Sequence, residues 1–131
     1  MKKRFHCPNC KTVLNPNVKI VLTVKHGKKL GMILMSPQPG NYRCLKDDNF
    51  VYEEGKMVTF MCPACNESIT SKSNNRLAHL IMSREGHRDS TVEFSRIIGE
   101  HATFIIDGKD VTGYGEDSDN YEANVRNFFG S

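Results

Sequence analysis

The chain has 131 residues and a mass of 14.8 kDa, and 38% of its residues are hydrophobic and 25% charged. A chain of this length fits one domain or a small module fused to another, and its apolar content excludes wholesale disorder. The formal net charge of +3 hides an asymmetry, because residues 1–46 hold ten basic and no acidic residues, whereas residues 47–131 hold eight basic and fifteen acidic ones.

The first half of the chain is predicted to form β-hairpins. Apolar residues alternate with other residues over Val18–Lys25, which is the period of a half-buried strand, and Leu30–Met35 follows as its partner across a turn. The prolines and glycine of Ser36–Asn41 interrupt the pattern. A second hairpin is expected between Phe50–Tyr52 and Met57–Phe60.

The second half is predicted to form a β-meander followed by a helix. Four further strands are expected, over Leu77–Met82, Thr91–Ile98, Ala102–Ile106 and Val111–Tyr114. The first of these also fits a short helix over Arg76–Met82, and the strand is favoured. Tyr121–Phe129 carries apolar residues at helical spacing after a capping pair, so we expect a short amphipathic α-helix there.

These elements predict a mostly β protein built from antiparallel hairpins. The polar run Lys72–Asn75 marks the expected boundary between sub-region 1–72 and sub-region 73–131, which we expect to share one core. No apolar run approaches the length of a membrane span. The basic residues at the start are not followed by the apolar stretch of a signal peptide. We therefore expect a cytoplasmic protein without membrane contact.

Two copies of a hexapeptide, Phe-x-Cys-Pro-x-Cys, begin at Phe5 and Phe60. Thiols stay reduced in the cytoplasm, so paired cysteines indicate metal binding before disulfides. Two such turns supply four thiolates, which suit one tetrahedral Zn²⁺ ion. Because four thiolates leave no open position for water, we expect one structural zinc per chain. The predicted ligands are Cys7, Cys10, Cys62 and Cys65.

Paired Cys-Pro-x-Cys turns at hairpin tips resemble the rubredoxin-type knuckles of the zinc-ribbon fold group. Typical knuckles place glycine after the second cysteine, whereas Lys11 and Asn66 stand there in this chain. The resemblance covers about a third of the chain and implies nucleic-acid or protein binding. An iron site and a redox pair are the alternatives for the same cysteines. Cys44, the fifth cysteine, is interpreted as a small core residue.

The basic half suggests contact with phosphate groups. The candidate residues cluster at the first knuckle and the first hairpin turn: Lys2, Lys3, Arg4, Lys11, Lys28 and Lys29. A solvated strand face and docking to an acidic protein are the alternatives, and the predicted C-terminal helix is a second candidate for contacting a protein. Since no catalytic motif is present, a non-catalytic binding module is favoured over an enzyme. The enzyme hypothesis would require a pocket that gathers His79, His101 and acidic residues.

Overall fold

The computed structural model describes residues 3–16, 18–38, 44–46, 54–72, 74–108 and 110–118. These residues form β-strands arranged in two antiparallel sheets. In chain order the strands are β1 (Lys3–His6), β2 (Ile20–His26), β3 (Lys29–Met35), β4 (Cys44–Lys46), β5 (Thr59–Met61), β6 (Leu77–Arg84), β7 (Ser90–Ser95), β8 (Thr103–Asp107) and β9 (Asp110–Tyr114). The described residues contain no α-helix, and none of their segments is a helix long and apolar enough to cross a membrane.

The four-stranded sheet has the order β4-β3-β2-β5. The alternating pattern of β2 buries Ile20, Leu22 and Val24 on one face. Its hairpin with β3 turns at Gly27, where φ is 63°, a backbone conformation that glycine adopts without steric cost.

The five-stranded sheet has the order β1-β6-β7-β8-β9. Strands β6 to β9 follow one another as a meander, as predicted, and β1 is added at the edge through Phe5, which lies opposite Met82. Leu77–Met82 is therefore a strand and not a helix, and it extends to Arg84.

The strand before each cysteine pair and the strand after it belong to different sheets. β1 precedes the first cysteine pair but joins β6, which follows the second pair. Conversely, β5 precedes the second pair but joins β2, which follows the first. Each sheet therefore contains one strand that enters a cysteine pair and a meander that leaves the other pair. The two sheets therefore have equivalent connections to the cysteine pairs.

One hydrophobic core joins the two sheets. It buries Leu22 and Val24 of the four-stranded sheet in the same cluster as Leu80 and Met82 of the five-stranded sheet. The rings of Phe60 and Phe94, whose centroids are 5.2 Å apart, make a contact between the sheets inside this core.

A second, smaller cluster lies on the opposite face of the five-stranded sheet. It consists of Leu77, Ala102 and Phe104, with Val111 packed against them. The alternation along β8 places Phe104 on this face, because its neighbour Ile105 packs against the main core.

Arg96 fixes the segment before β5 against the end of β7. Its guanidinium donates to the carbonyl of Val58 at 2.8 Å, to the Thr59 hydroxyl at 3.1 Å and to the carbonyl of Asn75. Burial lowers the pKa of Arg96, but three hydrogen bonds satisfy the cation in place of water.

The predicted strand over Thr91–Ile98 is too long, since β7 ends at Ser95. After Ser95 the backbone forms hydrogen bonds with the segment before β5 instead of with β8. The Val58 amide, for example, donates to the Arg96 carbonyl at 2.9 Å. The short strands β1 and β4 were not predicted from sequence. The predicted strand Phe50–Tyr52 and the predicted helix Tyr121–Phe129 lie outside the described residues.

β1 and β6, on either side of the proposed boundary after Lys72, belong to one sheet. The division into sub-regions 1–72 and 73–131 stays a prediction.

Candidate metal centre

The first cysteine loop, Phe5–Leu14, is a tight turn closed by backbone hydrogen bonds. The amide of Leu14 donates to the carbonyl of Phe5 at 2.7 Å, so the loop closes as a narrow hairpin. Inside it, the amide of Cys7 donates to the Thr12 carbonyl and the amide of Lys11 donates to the Cys7 carbonyl, each at 3.0 Å. These bonds hold the cysteine turn at the tip of the hairpin.

The second cysteine loop, Phe60–Ile69, repeats this pattern 55 residues later, as the interval from Phe5 to Phe60 shows. The amide of Ile69 donates to the carbonyl of Phe60 at 3.0 Å. The amide of Cys62 donates to the Glu67 carbonyl at 3.0 Å, and the amide of Asn66 donates to the Cys62 carbonyl at 2.8 Å. The structural repeat is therefore ten residues long, four more than the sequence motif.

The residue after the second cysteine of each pair has a left-handed backbone. φ is 66° at Lys11 and 61° at Asn66, values that most residues other than glycine avoid. Asparagine tolerates this conformation, and Lys11 donates from Nζ to the Pro8 carbonyl at 3.0 Å, which ties its side chain to the loop. Both loops therefore adopt one backbone geometry although neither has glycine at this position.

The four cysteine sulfurs form one compact group. All four Sγ atoms lie within 4.8 Å of one another, with Cys7 Sγ 3.8 Å from Cys65 Sγ and Cys10 Sγ 3.7 Å from Cys62 Sγ. A tetrahedral zinc site with Zn–S bonds of about 2.3 Å has sulfurs separated by about 3.8 Å. The cysteines are thus close enough to hold a metal ion, and each loop contributes one fully buried thiol, Cys7 or Cys62.

Backbone amides point at the buried sulfurs. The amides of Asn9 and Ala64 lie 3.3 Å from the Sγ atoms of Cys7 and Cys62, respectively, at equivalent places in the two loops. Such N–H groups stabilise negative charge on a metal-bound sulfur. The side chain of Asn9 also donates to the Ser68 carbonyl at 3.3 Å, which links the two loops directly.

The four thiols differ in acidity. Hydrogen bonding to the Thr12 side chain, whose Oγ1 is 3.1 Å from Sγ, and to the Thr12 backbone lowers the pKa of Cys10 to about 6. The Glu67 backbone favours the Cys65 thiolate, but burial and the neighbouring cysteines raise the pKa of Cys65 to about 12. Burial also raises the pKa of Cys62. Crowded thiolates repel one another, and a divalent cation between them would relieve that repulsion.

The predicted phosphate-contact residues divide between the two sheets. Lys3 and Arg4 are exposed on β1 of the five-stranded sheet, whereas Lys28 and Lys29 lie at the turn that joins β2 to β3. Lys11 lies in the first cysteine loop, where it bonds the Pro8 carbonyl. Lys2 and the side chain of Cys44 lie outside the described part of the chain.

The two histidines of the enzyme hypothesis contact different carboxylates. His79 on β6 lies 3.3 Å from Glu93 Oε1, and His101 lies 3.3 Å from Glu116 Oε1. Glu93 is almost fully buried, and its Oε1 also accepts from the Ser71 hydroxyl at 3.0 Å. Sequence analysis missed this buried carboxylate, because an acidic residue that alternates with Val92 and Phe94 has the pattern of a solvent-facing strand position.

No protein-family model matches this chain, and no curated protein or solved structure is significantly similar to it. The chemistry of the cysteine cluster therefore rests on its own geometry. Within the described residues, it is the one group of three or more potential ligands that could hold a metal ion.

Proposed function

We propose that this chain is a small zinc-ribbon protein in which one Zn²⁺ ion, held by the four cysteines, stabilises a non-catalytic binding module. The observation that carries the proposal is the convergence of two equivalent cysteine loops, which brings four sulfurs within 4.8 Å. Sulfur separations of 3.7 and 3.8 Å suit the edge of a ZnS₄ tetrahedron.

A structural role for the ion follows from its ligand set. Four thiolates saturate tetrahedral zinc, so no position is open for water or substrate. Each loop also joins strands of different sheets, so the ion would tie the two sheets together. Binding of this kind supplies on the order of 10 kcal/mol to folding.

Native mass spectrometry of the full chain tests the zinc site. We expect one zinc ion per chain, lost from the Cys62→Ser variant together with the cooperative unfolding transition. Cys44→Ser is the matched control, because it removes the fifth cysteine, which is not a predicted ligand, and should keep both the zinc ion and a cooperative unfolding transition. A purified chain that is folded without metal, or that holds iron in place of zinc, would contradict the proposal.

Nucleic-acid binding is a second candidate function, supported by the ten basic and no acidic residues of 1–46. Phosphate contacts would make binding fall steeply as salt rises. We expect an oligonucleotide to bind at low salt and to be lost when Lys2, Lys3, Lys28 and Lys29 are changed to Glu. Affinity that does not depend on salt, or no affinity, would exclude this function.

A further inference from the structure

The face of the four-stranded sheet that points away from the core is apolar and exposed. On β3, Gly31 and Ile33 face the core, so Leu30, Met32 and Leu34 lie on the other side. Leu30 is 61% exposed and Met32 is 50% exposed. On β4, Leu45 lies opposite Leu34 and is 59% exposed. We name this outer face the β3–β4 face.

The β3–β4 face continues onto the neighbouring strands. Val21 of β2 lies opposite Leu34, and Thr23 lies between Met32 on one side and Met61 on the other. The cross-strand pairs on this face therefore join all four strands of the sheet. Soluble chains seldom leave a contiguous apolar patch of this kind uncovered unless it contacts a partner.

The charged residues within the strands of this sheet are all basic. Lys25 lies on the face itself, opposite Leu30, and Lys28 and Lys29 are exposed at the turn that ends the same hairpin. No strand of the four-stranded sheet contains an acidic residue. The patch therefore complements a partner that is apolar in the middle and acidic at one end.

We propose that the β3–β4 face is the docking surface for an acidic amphipathic helix of a partner protein. A sheet with an apolar face ordinarily buries that face against another element, and a helix is one of the two elements that can cover it. Contacts along Met32 and Leu34 would bind the apolar stripe of the helix, while Lys25 and the turn lysines would pair with its carboxylates. The proposal rests on the binding-module function and names the partner of that module.

Two other occupants fit this face less well. Single-stranded nucleic acid binds sheets through aromatic side chains on which bases stack, and the described side chains of the face are aliphatic or polar. A second copy packed face to face would offer these lysines no carboxylate from the strands of its own sheet, so their charge would stay unpaired. An acidic protein helix meets neither obstacle.

The test uses the zinc-loaded full chain and two synthetic probes. The first probe is a fluorescein-labelled amphipathic helix with leucine on one face and glutamate on the other, and the second replaces every glutamate with lysine. Fluorescence anisotropy should show saturable binding of the glutamate probe alone. Leu30→Glu and Met32→Glu should each weaken it about tenfold or more, equivalent to about 1.4 kcal/mol.

Val18→Glu is the matched control, because Val18 is 65% exposed and lies before β2, outside the sheet. It should bind the glutamate probe as the unaltered chain does. Absence of binding, equal binding of the lysine probe, or equal weakening by Val18→Glu would overturn the proposal. So would self-association, or binding of an oligothymidine strand, that Met32→Glu abolishes.

Native mass spectrometry of each variant separates this proposal from the zinc proposal. A chain that holds zinc and fails to bind the glutamate probe contradicts the docking surface alone. A folded chain that binds the probe at this face without holding zinc contradicts the zinc site alone.

Discussion

At the residue scale, the cysteine loops are defined by backbone geometry more than by side-chain identity. Lys11 and Asn66 adopt nearly the same left-handed φ, although one is a long cation and the other a short amide. The hydrogen bonds around Cys7 and Cys62 also match one for one. A turn that needs one conformation accepts different residues when enough surrounding bonds enforce it.

We predict that Cys10 is the first cysteine to be alkylated immediately after a chelator removes the metal, before the chain unfolds. Thr12 lowers its pKa to about 6, so at pH 7 about nine-tenths of its exposed thiol is ionised. The pKa of Cys65, about 12, keeps that thiol protonated at the same pH. Since the thiolate is the nucleophile, modification of Cys10 should slow as pH falls below about 6. Peptide mapping by mass spectrometry after iodoacetamide treatment measures the order of reaction.

Thr12→Val is the control for this prediction. It removes the hydroxyl that stabilises the Cys10 thiolate, so the pKa of Cys10 should rise and its reaction at pH 7 should slow severalfold. Unchanged reactivity in the variant would show that Thr12 does not set the acidity of Cys10. Zinc should protect all four cysteines in both proteins.

At the scale of elements, the side chain of Asn15 takes the place of a neighbouring strand at the edge of β1. Its Oδ1 accepts from the amide of Phe5 at 2.8 Å, and its Nδ2 donates to the carbonyl of Lys3 at 2.8 Å. Asn15 is itself buried. One side chain therefore satisfies two backbone groups that an edge strand would otherwise leave unpaired.

We predict that Asn15→Ala destabilises the chain by about 2 kcal/mol, because it leaves the buried Phe5 amide and the part-buried Lys3 carbonyl without their partner. Asn9→Ala is the matched control, since its exposed bond to the Ser68 carbonyl is 3.3 Å long and should contribute less than about 1 kcal/mol. Denaturant unfolding of the zinc-loaded variants measures both values. Equal losses would mean that Asn15 does not stabilise β1.

Part of this element-scale structure was predictable from sequence. The alternation in Val18–Lys25 predicted β2, and β6 was recognised in Leu77–Met82. β1 was missed because four residues beside a cysteine turn carry too little periodicity, and its pairing with β6 joins Phe5 to Met82 across most of the chain. Asn15 gave no signal, since an asparagine in a polar segment ordinarily indicates a turn.

At the scale of the whole molecule, the cysteine cluster connects the two sheets, because the strands that enter and leave each cysteine pair belong to different sheets. A bond between the first loop and the second holds β1 beside β6 and β5 beside β2 at the same time. Loss of this connection should therefore destabilise both sheets together.

We predict that removal of the proposed zinc raises amide hydrogen exchange in both sheets. Shortly after chelation the amides of β1 and β5 should exchange first and alike, whereas β7 and β8, which pair with each other along four residues, should lose their protection later as the chain unfolds. Hydrogen-exchange mass spectrometry before and after chelation measures the change. If exchange rises in one sheet while the other keeps its protection, the cysteine cluster does not stabilise both sheets.

The sequence by itself determined the local features: the β character, the repeated Phe-x-Cys-Pro-x-Cys motif, and the choice of four cysteines as candidate ligands. These follow from periodicity and spacing, which neighbouring residues carry. Only the tertiary structure decided that β1 pairs with β6 and β5 with β2, that Glu93 is buried, and that the β3–β4 face stays exposed. Each of these depends on which distant segment packs against a strand, and a strand with one apolar face has the same pattern whichever partner it finds.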